Sequence, residues 1–436
     1  MSMINAFRAG EIVLSESEQA LIQRRDRLLG PSYRLFYQRP LHLVRGEGVW
    51  LYDAQGNAYL DAYNNVPSVG HCHPEVVAAL ARQAGILNTH TRYLHEGILD
   101  YAEQLLATMP SALGHVMFTC TGSEANDLAY RIAQACTGGT GVIVTRLAYH
   151  GTTKLIAEMS PSLGAPVAVA DHVRLIDAPD HYHSGGQEVA LAFLSSVREA
   201  IADMQSCGIR PAALLVDTIF SSDGVFADPA GFLAPAVAAI RAAGGLFIAD
   251  EVQAGLGRTG DAFWGFERHG LIPDMVTMGK PMGDGHPMAA VALQPAVVQE
   301  FAKARYFNTF GGNPVAAAVG QAVLQIIQKQ KLQENARDVG QYLRSRLSAL
   351  ADHYEVIGDV RGAGLFIGVE LVMDRQTKVP ATSQTTRIVN AMREKRVLIS
   401  AAGPMANVLK IRPPLVFTRE HADHFLDVFS SVLAQR

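Results

Sequence analysis

Cysteine is scarce in this 436-residue chain: only Cys72, Cys120, Cys136 and Cys207 occur, widely spaced and mostly among apolar neighbours. That spacing gives no disulfide framework and suits reduced core thiols in a cytoplasmic protein. Long apolar runs are missing as well. None approaches the roughly 18 residues of a membrane span, and the first residues lack the apolar core of a secretory signal. Charge of one sign is never concentrated, since 37 Lys and Arg are scattered against 41 Asp and Glu for a formal net charge of −4. No basic stripe exists to follow a nucleic-acid backbone. Neither a membrane nor a nucleic acid is therefore an expected partner, and internal repeats and low-complexity segments are also lacking.

What is present is the composition of a globular protein, 49% hydrophobic and 18% charged. The chain exceeds the size at which a single core stops growing, so more than one lobe is expected. Residues up to 30 read as a solvated helical arm, followed by a hairpin around the Gln55-Gly56-Asn57 turn. From about 75 to 300, helical patterns alternate with the apolar runs Val116–Cys120, Val142–Thr145, Ala213–Val216, Leu246–Ala249, Met275–Met278 and Ala289–Leu293. This alternation predicts an α/β fold with a mostly parallel sheet covered by helices. One long helical stretch from Val315 to about Ala351 then leads to strands within 356–373, a helix near 385–395, strands at Val397–Ser400 and Val408–Ile411, and a last helix over Arg419–Leu433. The expected division is an N-terminal arm and hairpin (1–62), a large domain (63–313), and a linking helix with a smaller α+β domain (314–436).

In open α/β sheets the loops after the strands build the ligand site. Asp250 ends one apolar run, where its carboxylate needs a cationic or donor partner such as a protonated heteroaromatic nitrogen. Val252 follows on the same side for packing against a ring, and Gln253 adds an amide able to bond a phenolic oxygen. Lys280 follows Met275–Met278 between Gly279 and Pro281, and a sheltered lysine amine loses basicity and forms Schiff bases. Thr121-Gly122-Ser123 opens a helix after Val116–Cys120, and the amides of Gly122 and Ser123 make an anion site there. Tyr149 offers an aromatic ring after the next strand. Taken singly, each has a plain structural alternative: a turn-capping Asp, a surface-loop Lys, a Thr121/Glu124 capping box, a core Tyr.

The order of phosphate loop, aromatic ring, Asp-x-x-Gln and Lys, with Lys280 lying 30 residues after Asp250, resembles the class III aminotransferases of pyridoxal-phosphate fold type I. The stretches carrying the resemblance are Thr121-Gly-Ser-Glu-Ala-Asn-Asp127, Phe247-Ile-Ala-Asp-Glu-Val-Gln253, Pro273-Asp-Met-Val-Thr-Met-Gly-Lys280 and Phe307-Asn-Thr-Phe-Gly-Gly-Asn-Pro314. The resemblance extends from about Tyr33 to the end of the chain. It implies a large domain with a seven-stranded sheet, pyridoxal 5′-phosphate bound through an internal aldimine at Lys280, and Asp250 opposite the pyridine nitrogen. It further implies Gly122 and Ser123 at the phosphate, Tyr149 on the ring, Gln253 at the ring oxygen, and Thr309 reaching the neighbouring subunit's phosphate. A homodimer with shared sites follows, and a pairing of dimers into a tetramer is left open. The implied reaction moves an amino group from an amine or amino acid to a 2-oxo acid such as pyruvate, by way of pyridoxamine phosphate.

Departures from the family pattern concern the substrate. Ser222 stands where many relatives carry a glutamate gate, and Lys410 where they carry a carboxylate-binding arginine, with Arg412 two residues on. Residues 410 and 412 share a face of an extended strand, so either cation suits a carboxylate or a phosphate ester. Asn65 occupies a position that is a bulky aromatic in many amine transaminases, which points to a more polar pocket. The motifs around Lys280 and Lys410, together with Asp61-Ala-Tyr-Asn-Asn-Val66, resemble the branch that contains ethanolamine-phosphate phospho-lyases beside ordinary transaminases. Transamination is the preferred reading, with phosphate elimination from an amino-alcohol phosphate such as phosphoethanolamine as the alternative. Gly255-Leu-Gly-Arg-Thr-Gly260 matches a dinucleotide-binding pattern outside its strand-to-helix context, and His71-Cys72-His73 lacks the distant partners of a metal site.

Overall fold

The computed structural model describes residues 5–184 and 188–435. Residues 1–4 of the expected N-terminal arm, 185–187 of the expected large domain and Arg436 of the expected small domain lie outside that range. The arm is a helix, Glu16–Leu29, capped by Ser15 and Glu18 in a reciprocal box and without a buried residue. Its mean polarity leaves it no apolar stripe to bury, as the sequence implies.

The strands in the middle of the chain form a seven-stranded sheet, in the spatial order His115–Thr119, Ala289–Leu293, Met275–Met278, Leu246–Asp250, Pro211–Asp217, Gly141–Thr145, Val173–Ile176. Ala289–Leu293 runs antiparallel to both neighbours and the other pairs are parallel. Fully buried Val142, Ile143, Val144, Leu214 and Leu215 show why the inner strands read as unbroken apolar runs: both faces are covered. Helix Gly122–Thr137 packs on one face through Leu128 and Ile132, both buried, each side chain worth about 1.5–3 kcal/mol on removal from water.

Two smaller sheets complete the molecule. Strands Leu43–Glu47, Trp50–Asp53 and Ala58–Asp61 form the N-terminal meander, and Val397–Leu398 joins its edge in parallel. Ile357–Ala363, Phe366–Asp374, Val408–Ile411 and Ser400–Ala402 make the other, with Val379–Pro380 on its flank. The expected single strand Val397–Ser400 is thus two strands serving different sheets. Buried Ile399 is the hinge, its carbonyl held by the Tyr37 hydroxyl at 3.0 Å.

The expected continuous helix from Val315 to Ala351 is also two helices, Pro314–Lys329 and Leu332–Leu350. The polar run Gln328-Lys-Gln-Lys331 interrupts the apolar period, and Lys331 turns the chain with φ 52°. That break lets Ile326, Ile327 and Leu332 all reach the core. The cysteines are not core residues: Cys72 and Cys207 are exposed, Cys120 and Cys136 half-buried, and all four are free. Among the described residues no helix is long and apolar enough to cross a membrane.

Candidate active site at the strand ends

A cavity of about 280 Å³ opens at the carboxyl ends of the central strands and is lined by Gly122, Ser123, Tyr149, Asp250, Val252 and Lys280, among others. With Gln253, seven expected residues from four stretches of sequence thus meet in one place. Asp250 ends its strand and is 4% exposed. Its Oδ2 lies 2.7 Å from His150 Nδ1 and accepts from Asn126 Nδ2 at 2.9 Å, while Oδ1 accepts from Val252 N at 3.1 Å. Asn126 is fixed in turn by Thr277 Oγ1 at 2.6 Å and by the His150 carbonyl at 2.8 Å. A buried carboxylate is tolerated only with such a set of donors.

Lys280 begins a short turn, Lys280–Gly283, directly after strand Met275–Met278. Its Nζ is 6.0 Å from the centre of the Tyr149 ring. Burial, and next the charge of Arg412, hold its amine below the usual lysine range. An amine in that state is available as nucleophile and base. Tyr149 is 39% exposed, so it faces the cavity rather than the core.

Helix Gly122–Thr137 presents its N-terminus to the same cavity, with Thr121 Oγ1 accepting from Glu124 N at 3.2 Å. The Glu124 carboxylate reaches back to Cys120 N at 2.8 Å, not to Thr121, so the expected reciprocal box is only half formed. The first-turn amides of Gly122 and Ser123 have no intrahelical acceptor. Ser123 Oγ accepts from Thr152 N at 3.0 Å, and the loop of Gly151 (φ 142°) comes so close that a Cβ there would lie 2.5 Å from that hydroxyl. The Gly151 loop is thereby pinned beside the helix start.

The other expected residues lie around this centre. Gln253 lines the cavity, yet its amide is already engaged by buried partners: Oε1 accepts from Arg412 Nη1 and from Asn65 Nδ2 at 3.4 Å, and Nε2 donates to Ser221 Oγ at 2.6 Å. Arg412 Nη1 also donates to Asn65 Oδ1 at 2.8 Å, with the guanidinium 4.4 Å from the Tyr63 ring. Lys410 Nζ sits 5.5 Å from the Phe366 ring, and Arg412 reaches the same ring at 5.9 Å. The shared face expected for 410 and 412 is therefore present. Desolvation, and next Arg412, push the Lys410 ammonium well down. Ser222 stands outside the cavity lining, where its carbonyl accepts from Gly403 N at 3.3 Å. Thr309 is exposed and also outside the lining.

Sequence reasoning did not single out Asn126, Thr277, Asp217 or His150 as site residues. Asp217 and Thr277 are the register partners of Asp250 on its two neighbouring strands. Asn126 lies one helical turn beyond Gly122 and Ser123, and that spacing was the available signal. Of the motifs set aside, Gly255–Gly260 forms a turn packed on Gln333 and Arg337. His71 pairs with Asp61 at 2.7 Å and His73 caps helix Pro74–Ala84. Among the described residues no cluster suits a metal ion.

Comparison with known proteins places this geometry. The family profile "Aminotransferase class-III" matches residues 36–433. A Drosophila melanogaster protein named alanine–glyoxylate aminotransferase 2-like is 41% identical, with 97% of this chain and 89% of that protein aligned. Ethanolamine-phosphate phospho-lyase homolog 1 of Caenorhabditis elegans is 35% identical over 96% of this chain and 94% of its own. Among solved structures, an Arthrobacter phospholyase in complex with phosphoethanolamine superposes with a TM-score of 0.92 at 44% identity, covering 95% of this chain and 100% of the other.

Proposed function

This chain belongs to the class III aminotransferases, and from that membership we propose that it transfers an amino group from an amine or amino acid to a 2-oxo acid such as pyruvate. The family's cofactor is pyridoxal phosphate, and the cavity fits it chemically: an amine for its aldehyde, a buried carboxylate for its ring nitrogen, and a helix N-terminus for its phosphate. When bound, pyridoxal phosphate supplies an electron-accepting ring for the bond broken at the substrate carbon. The observation that carries the reading is the convergence of Lys280, Asp250 and the Gly122–Ser123 helix start on one cavity.

In this reading Lys280 would hold the cofactor and move the proton at the substrate carbon, a task suited to its depressed basicity. Asp250 pairs with the ring nitrogen, kept in place by His150 and Asn126. Gly122 and Ser123 would donate their amides to the phosphate, with Tyr149 and Val252 available to flank the ring. Gln253 would leave Arg412 to bond the ring oxygen. Lys410 and Arg412 receive the substrate's acidic group, with Asn65 holding Arg412 and Ser222 leaving the approach uncharged. Thr309, exposed on its loop, serves the site of a second copy, so the working unit is a homodimer. We place the substrate between the 63–313 and 314–436 domains, and the protein in the cytoplasm.

A second reading has one specific observation in its favour. Lys410 and Arg412 meet on Phe366, and among the described residues neither is paired with a carboxylate. A guanidinium beside a lysine whose charged form an arriving anion favours suits a doubly charged phosphate ester better than a carboxylate, which fits elimination of phosphate from an amino-alcohol phosphate.

The deciding experiment mixes the cofactor-loaded protein with L-alanine alone. Conversion of the visible cofactor band, with pyruvate released in equal amount, supports transamination. An unmoved band together with phosphate release from phosphoethanolamine replaces it with the lyase. Lys280→Ala is expected to abolish either activity with the fold unchanged by circular dichroism; retained turnover would remove Lys280 from the mechanism.

A further inference from the structure

The turn at residues 62–70 touches two distant parts of the site at once. On one side the Ser68 hydroxyl donates to the Pro281 carbonyl at 2.8 Å, and Asp284 Oδ1 accepts from Val69 N at 3.0 Å. Both bonds land on the segment that starts with Lys280. On the other side Arg412 N donates to the Ala62 carbonyl at 2.9 Å, and Leu415 N to the Ser68 carbonyl at 2.8 Å. Ser68 therefore holds the lysine segment with its hydroxyl and the arginine segment with its carbonyl.

The clamp is rigid at each end. Asp284 sits at φ 49°, directly after the Lys280–Gly283 turn, a strained position for a residue with a side chain. Ser68 is fully buried. The turn itself is anchored by Asp61, whose Oδ1 accepts from Tyr63 N and Asn64 N at 3.1 and 2.9 Å and whose Oδ2 is 2.7 Å from His71 Nε2. Asp61 ends the strand Ala58–Asp61, which is locked to Val397–Leu398. No other function of the site uses Asp284, Ser68 or Asp61.

We propose that Asp284 and Ser68 are positioning residues that fix the spacing between the Lys280 amine and the Arg412 guanidinium, and so select substrates by the distance between their amine and their acidic group. The proposal rests on the reading that Lys280 carries the cofactor and Arg412 meets the substrate anion. A substrate must reach both anchors, and a shift of about 1 Å between them is enough to change the rate roughly a hundredfold. Burial raises the Asp284 carboxyl to about 7, against the bond from Val69 and the charge of His71. Its neutral form is thus well populated at neutral pH, and asparagine copies both its shape and its acceptor.

The test compares Asp284→Ala, Asp284→Asn and Ser68→Ala, each loaded with cofactor. Two quantities are read: the pH midpoint of the visible cofactor band, and the ratios of kcat/KM among L-alanine, β-alanine and 4-aminobutyrate. In Asp284→Ala the midpoint is expected to move by about 0.5 unit, and the ratios by roughly threefold or more. Ser68→Ala is expected to follow in the same direction, whereas Asp284→Asn stays with the parent. Alanine variants that lose only thermal stability, with midpoint and ratios unchanged, overturn the clamp. An asparagine variant that behaves like the alanine one also overturns it, since charge and not the acceptor would then be at work. Absence of any cofactor band in the unmodified protein sinks the parent reading, and the clamp with it.

Discussion

His150 Nδ1 stands 2.7 Å from Asp250 Oδ2, with both side chains almost fully out of solvent. The contact gives the buried carboxylate one of its three partners and orients it, because Asn126 bonds the same oxygen while Val252 N takes the other. Replacing His150 with Phe removes a hydrogen bond to a charged group, worth about 1.5–3 kcal/mol. Turnover is therefore expected to fall roughly tenfold to a hundredfold with the fold retained. Steady-state rates beside a circular dichroism spectrum check this, and parental rates in His150→Phe would show that Asp250 needs no support from that side.

How far the site was legible in the sequence depends on whether a residue advertises itself locally. Asp250, Lys280 and Gly122 each follow a short apolar run, so strand ends and the ligand site could be read together from linear pattern. Asn126, Thr277 and Asp217 could not, because their proximity to Asp250 is set by strand register and by how helix Gly122–Thr137 lies on the sheet. Gln253 was legible from its motif, but not its bonds to Arg412 and Ser221, which span 159 and 32 residues. In the fold, strands Met275–Met278, Ala289–Leu293 and Val408–Ile411 and helix Arg419–Leu433 fall where hydropathy put them. The switch at Ile399 escaped because two short strands in different sheets produce one apolar run.

Asp223 gives a pH dependence to stability. Burial raises its carboxyl to about 7, although Thr145 Oγ1 and Leu147 N donate to it at 2.8 and 3.2 Å. The folded state therefore holds a proton between the ordinary carboxylate range near pH 4 and pH 7 that the unfolded chain has released. The contribution is favourable at low pH and is lost as pH rises through this window, at up to about 1.4 kcal/mol per pH unit. Asp223→Asn keeps an acceptor for Leu147 N and cannot titrate, so its melting temperature should change less between pH 5 and 7 than that of the parent. Parallel curves for the two proteins would exclude Asp223 as the source.

The loop of Thr309 bears on assembly. Phe310 is 70% exposed and Leu94 and Tyr93 are 101% and 66% exposed, with Tyr93 stacked on His90 and His90 in turn against Phe307. Apolar side chains grouped this way on a surface suit a contact with another chain, and the proposed dimer would use them. Phe310→Asp is expected to give monomers by light scattering at micromolar concentration and to weaken cofactor retention. Thr309→Ala is expected to remain dimeric and lose cofactor several-fold faster on dilution. A dimeric, fully loaded Phe310→Asp protein would place the interface elsewhere.

The last prediction separates the two cations. Arg412 presents a planar fork already held by Asn65, whereas Lys410 is a point charge whose buried ammonium is disfavoured by desolvation and by Arg412 beside it. A carboxylate needs the fork, and Arg412→Lys should raise KM for L-alanine roughly tenfold or more, because lysine cannot make two parallel bonds. A dianionic phosphate needs total charge, and for it Lys410→Met should be the more damaging change. An anion arriving beside Lys410 also favours its protonated form, so substrate binding should shift that group towards the charged state with uptake of a proton. Calorimetry in two buffers of different ionisation enthalpy measures that uptake. A phosphate ester that binds with proton uptake in the parent and without it in Lys410→Met would identify Lys410 as the charge that responds to the substrate, and equal uptake in both would assign that role to another group.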